Sequence, residues 1–80
     1  MEITVKYFGI IADITQKKEE VFFIEEVSIT LKKIKLMLEI IYPKILVINY
    51  SVAINKKFLQ NDILLKNNDI IALLPPFDGG

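Results

Sequence analysis

Between Thr30 and Pro43 the hydrophobic residues change their spacing, and that change limits the folds open to this chain. Leu31, Ile34, Leu38 and Ile41 recur at intervals of three, four and three, which places them on one face of a helix. Thr30 has the hydroxyl of an N-cap, able to accept a free N–H of the first turn, and Pro43 cannot continue the helix. The segment is about three turns long. Lys32, Lys33, Lys35 and Glu39 fall mostly off the apolar face, which is therefore expected to lie against a sheet.

The flanking segments carry the strands. Ile3, Val5 and Tyr7 alternate with Thr4, Lys6 and Phe8 up to Gly9, the period-two pattern of a strand. Ile10 to Lys18 reads as a wide turn with room for one helical turn. Val21 to Ile24 reads as a second strand, closing an N-terminal hairpin through a short connection. Val52 to Asn55 and Phe58-Leu59 read as further extended pieces. Ile70 to Leu74, nearly all apolar, reads as a final strand at the centre of the sheet. Asn67-Asn68-Asp69 before it is a turn, because Asn tolerates a left-handed backbone better than most residues. The expected class is α+β: a mixed sheet with one main helix packed across it, and a β-grasp, or ubiquitin-like, fold if the first and last strands lie side by side and parallel.

Eighty residues with no Cys make one small domain, 1–80, near the lower end of what one core holds together without disulfides or metal. Hydrophobic residues make up 52% of the chain, and a domain of this size buries only about 60% of its unfolded surface. Exposed apolar surface is expected, and it marks a partner. Ten lysines balance ten acidic residues with no basic stripe, which argues against nucleic acid as a partner. No apolar run approaches the ~20 residues that span a bilayer, and no signal peptide precedes the first strand; cytoplasm is the expected compartment.

Stand-alone catalysis is not expected. The chain has no His, Cys or Arg, so it lacks the usual base near neutral pH, the thiolate and the bidentate phosphate clamp. Ser28 and Ser51 have no evident activating base, and Asp13, Asp62, Asp69 and Asp78 show no metal-loop spacing, so no metal site is expected.

The last residues are different. Two of the three glycines close the sequence, after Leu74-Pro75-Pro76-Phe77-Asp78, an ending that average Gly usage gives about once in 200 chains. Pro75-Pro76 lacks N–H donors and ends the ladder, so 75–80 is expected to leave the domain as a flexible tail. From Phe77 onward it reaches roughly 13 Å. Gly79 and Gly80, without Cβ atoms, fit a narrow channel and leave the carboxylate of Gly80 as the unhindered reactive group.

This ending after its apolar strand resembles that of the molybdopterin-synthase small subunit, the MoaD-type sulfur carrier of the MoaD/ThiS family. Ile3 to Gly9 resembles the family's opening strand, Thr30 to Tyr42 its helix, Ala53-Ile54-Asn55 its middle strand and Leu65 to Asp69 its turn. The resemblance implies a β-grasp carrier that binds no cofactor itself. A partner resembling ubiquitin-activating enzymes would adenylate Gly80 with ATP and magnesium, and a sulfur donor would convert it to a thiocarboxylate. The tail would then enter a large catalytic subunit and pass sulfur to a cyclic pyranopterin precursor of the molybdenum cofactor. It further implies that Phe8, Phe58 and Leu74 form an apolar partner patch beside Pro75, Pro76, Phe77 and Asp78. Asn68 stands where the family commonly has Gly, and Asp78 where a small residue is common. Two other carrier readings stand beside this one, a thiamine-pathway sulfur carrier and a ubiquitin-like modifier joined to lysines. A protein-binding module whose tail is dispensable is a reading of another class.

Overall fold

The computed structural model describes residues 1–59 and 61–76. Strand β1 (Glu2–Tyr7) buries Ile3, Val5 and Tyr7 on one side and turns Glu2, Thr4 and Lys6 to the other, as its alternation requires. It pairs antiparallel with β2 (Glu19–Phe23) and parallel with β5 (Ile70–Leu74). Strand β3 (Ser51–Ile54) pairs antiparallel with β5 on one side and with the two-residue β4 (Lys57–Phe58) on the other. The order β2-β1-β5-β3-β4 puts the apolar final strand at the centre, and the parallel β1/β5 pair makes this a β-grasp.

The main helix, α2 (Leu31–Ile41), begins where expected. The Thr30 side chain accepts the Lys33 N–H at 3.2 Å, and Asp62 reaches across the chain to accept the Lys32 N–H at 2.9 Å. Leu31, Ile34 and Leu38 are buried against β-strand residues Val5, Ile71 and Leu73 in one core. Ile41 departs from the expected face and is 47% exposed. The helix stops there, and Tyr42 turns its ring toward Tyr7 in an edge-to-face contact with centroids 6.0 Å apart. A 3₁₀ turn, Pro43–Val47, follows and buries Ile45.

The N-terminal hairpin is built differently from the expectation. Its strands are joined by α1 (Gly9–Thr15), a two-turn helix that buries Ile11 and Thr15. Gln16, in the left-handed region at φ 61°, ends it by donating its N–H to Ala12. Strand β2 starts two residues earlier than Val21, because facing the core requires Glu20 and Phe22 inward and Val21 and Phe23 outward. Ile24 lies past the strand, where its N–H donates to the Met1 carbonyl and its own carbonyl accepts from the N-terminal ammonium, both at 2.7 Å. The turn before β5 is as expected, with Asn68 at φ 72°. The buried Asp69 carboxylate holds it, accepting the Lys66 N–H at 2.7 Å and the Asn55 amide at 2.9 Å.

Candidate functional site

Two features converge at the end of β5: the place where the tail begins and the sheet face that α2 leaves open. The tail's base is fixed by one glycine. Gly9 has φ +55°, and a Cβ placed there would meet the Pro75 ring at 2.9 Å. Gly9 is therefore needed twice, for a left-handed backbone and for the close approach that seats Pro75 against the start of α1. Sequence reasoning took Gly9 only as the end of a strand. The available signal was its rarity, since it is the one glycine outside the terminal pair. Pro75 is half-buried and Pro76 exposed, while Phe77, Asp78, Gly79 and Gly80, the heart of the expected site, lie outside the described residues.

Strand pairing lays out the open face. Lys6 pairs with Ala72, Ala72 with Ala53, and Ala53 with Phe58, so these four share one row across β1, β5, β3 and β4. Thr4 and Ile70 share a neighbouring row, and Ser51 pairs with Leu74 in another. Phe8 continues the extended backbone of β1 one step past the Tyr7/Leu73 pair and is 43% exposed; Leu74 is half-buried. Phe8, Leu74 and Pro75 are thus gathered around the tail's base. Phe58 stands apart from them, two strands beyond β5 and 68% exposed at the sheet's edge. Val21 and Phe23 extend the exposed apolar surface onto β2, beyond the residues that the resemblance implies for the partner patch.

The clearest electrostatic cluster lies away from this face. Glu20 accepts the hydroxyls of Tyr7 at 2.9 Å and Tyr42 at 2.8 Å, and Lys17 pairs with its second oxygen at 3.0 Å. Burial pushes the Tyr7 hydroxyl far above its usual range, and the Glu20 carboxylate adds to this. Burial alone would raise Glu20, but the hydrogen bonds from Lys17, Tyr42 and Tyr7 outweigh it and hold the carboxyl below its ordinary value. Tyr50 is raised in the same way, by burial and then by Glu39, which accepts its hydroxyl at 2.6 Å. These groups fasten α1, β2 and the end of α2 to the sheet. Around the tail's base, Phe8, Gly9, Leu74 and Pro75 supply shape and apolar surface and no acid, base or nucleophile.

Residues 5–80 match the model of the ThiS family. A chain in a complex of subunits 1 and 2 of the molybdopterin-converting factor from Helicobacter pylori is 33% identical, with full coverage of both chains and a TM-score of 0.65. Two archaeal structures under 25% identical share the fold. A Pyrococcus furiosus protein assigned as molybdopterin converting factor subunit 1 has a TM-score of 0.85 at 18% identity, over 96% of this chain and 99% of that one. The small archaeal modifier protein 1 of Methanosarcina acetivorans has 0.75 at 24%, over 99% and 96%. The chain belongs to the ThiS family, the small ubiquitin-like sulfur carriers that include the MoaD type. No helix among the described residues is long and apolar enough to cross a membrane.

Proposed function

We propose that this chain is the sulfur-carrying subunit of a molybdopterin synthase, working in the cytoplasm as one domain, 1–80, whose C-terminal tail, 75–80, is anchored at Pro75. A ubiquitin-activating-enzyme-like adenylyltransferase consumes ATP with magnesium to form an acyl adenylate at Gly80. This step exchanges the carboxylate's poor leaving group for AMP. A sulfur donor then displaces AMP and leaves the thiocarboxylate. In the large subunit that sulfur attacks the cyclic pyranopterin precursor, and hydrolysis of the resulting acyl link returns the Gly80 carboxylate. Catalytic side chains belong to the partners; this chain contributes its terminus, the narrow Gly79-Gly80 approach and a docking face of Phe8, Phe58, Leu74, Pro75, Pro76, Phe77 and Asp78.

The observation that best supports this reading is the Gly9–Pro75 contact, which seats the start of a sequence ending in Gly-Gly beside an open apolar sheet face. The full-length match to a chain in a complex of subunits 1 and 2 favours the molybdopterin branch over the thiamine one. The test is sulfur transfer reconstituted with the large subunit, its precursor and a thiocarboxylated chain. Deletion of Gly79-Gly80 is expected to abolish transfer and leave Tm unchanged. Transfer that survives the deletion would overturn the reading in favour of a binding module.

A further inference from the structure

The middle of the open face is concave. Ala72 and Ala53 stand opposite each other between the taller Lys6 and Phe58, and next to them lies a hollow of about 330 Å³ lined by Lys6, Phe8, Asn55, Lys56, Ile70 and Ala72. Phe8, Ile70 and Ala72 give it apolar walls, and two lysines, Lys6 and Lys56, line it as well. Neither lysine has an ion-pair partner among the described residues, whose salt bridges, Lys17–Glu20 and Lys33–Glu26, lie elsewhere.

The backbone beneath Lys56 adds a second observation. Asn55 and Lys56 have φ of 49° and 72°, two successive left-handed residues that turn β3 into β4, and glycine is favoured at the second place of such a turn. Asn55 suits its place: its side-chain oxygen accepts the Ile70 N–H at 3.0 Å and its amide donates to Asp69. Lys56 has no recorded side-chain hydrogen bond of this kind among the described residues. It holds a strained conformation that glycine would relieve, and it places a cation at the hollow.

We infer that this hollow receives an apolar side chain of the partner protein flanked by carboxylates, with Lys6 and Lys56 pairing to those carboxylates. The inference rests on the carrier reading, in which this face docks on a larger subunit, and it specifies the chemistry of the docking segment: an exposed Leu, Phe or Met with Asp or Glu on either side. Charge complementarity at a rim acts chiefly on association rate and its salt dependence.

The probe is the purified large subunit of molybdopterin synthase, with association followed at several salt concentrations for the full chain and for K6E, K56E, K6E/K56E, K56R and K56G. The double reversal is expected to slow association by roughly tenfold at low salt and flatten its salt dependence, and K56R to behave as wild type. K56G is the discriminating variant. It should raise Tm by relieving the left-handed strain and yet slow association, a combination that a purely structural lysine does not produce. Wild-type binding with unchanged rates in every variant overturns this inference and leaves the carrier reading standing; absence of wild-type binding overturns both. Concentration-dependent dimers that weaken in the same variants would assign the hollow to a second copy of the chain and overturn it as well.

Discussion

Ile70 and Ile71 are neighbours of identical chemistry on β5, yet Ile71 has no exposed surface and Ile70 is 40% exposed. One faces the core beneath α2, the other the open side of the same sheet. The covered face carries Ile3, Val5, Leu73 and Ile71 and holds the fold together; the open face carries Phe8, Ile70, Ala72, Leu74 and Phe58, an apolar surface partly exposed to water. Helices α1 and α2 and the 3₁₀ turn all bury residues in the one core, and the other face of the five-stranded sheet is left open. Alternate residues of the same strands thus divide between a covered core and an open apolar surface.

Truncating these two neighbours should have very different costs. Ile71→Ala should cost about 3 kcal/mol or more in urea unfolding, a large part of what a domain of this size possesses, whereas Ile70→Ala should cost under about 1 kcal/mol. Comparable losses would mean that the open face is part of the core. Next comes the cluster that closes the covered side: Glu20→Ala should cost about 2 kcal/mol, since it leaves the part-buried Tyr7 and Tyr42 hydroxyls without their charged acceptor.

The same carboxylate gives a pH signature. Its pKa is held below the ordinary 4.5 in the folded state, so its contribution is present in full above that value and is lost as pH falls through the lower, folded one. Wild-type stability should therefore drop more steeply below pH 4.5 than that of Glu20→Gln; parallel curves would remove Glu20 from the account.

Gly9→Ala is intermediate, because it touches both regions. Its left-handed backbone should cost about 1–2 kcal/mol, and displacement of Pro75 should slow sulfur loading beyond what the stability loss explains. Loading at the wild-type rate in the folded variant would separate the glycine from the tail. The smallest effect on stability belongs to Phe58→Ser, expected within about 0.5 kcal/mol of wild type by thermal unfolding while affinity for the large subunit falls.

Much of the covered face was legible in the sequence, for identifiable reasons. Thr30 and the 3-4-3 spacing define α2, and the apolar run 70–74 demanded a central strand. Helix α1 was legible only as a wide turn with room for one helical turn, because Phe8 caps it with no side-chain bond and its Ile and Thr residues favour strands; its second turn forms as Ile11 and Thr15 pack inward. The start of β2 was missed because Glu19 and Glu20 read as solvated charge, while Glu20 turns inward to two tyrosines. At the site, Phe8, Phe58 and Leu74 were named from resemblance, and the strand pattern gave their side of the sheet only once pairing was known. The Gly9–Pro75 contact joins residues 66 positions apart, which no local pattern reports.

Under the proposed function the chain's chemistry resides in the carboxylate of Gly80. The direct measurement is the intact mass of the protein after incubation with ATP, magnesium, a cognate activating enzyme and a sulfide source. A gain equal to replacement of one oxygen by sulfur, located by fragmentation at Gly80 and absent when Gly79-Gly80 is deleted, is the expected result for a sulfur carrier. An unchanged mass, with an activating enzyme proven on its own carrier, would contradict it.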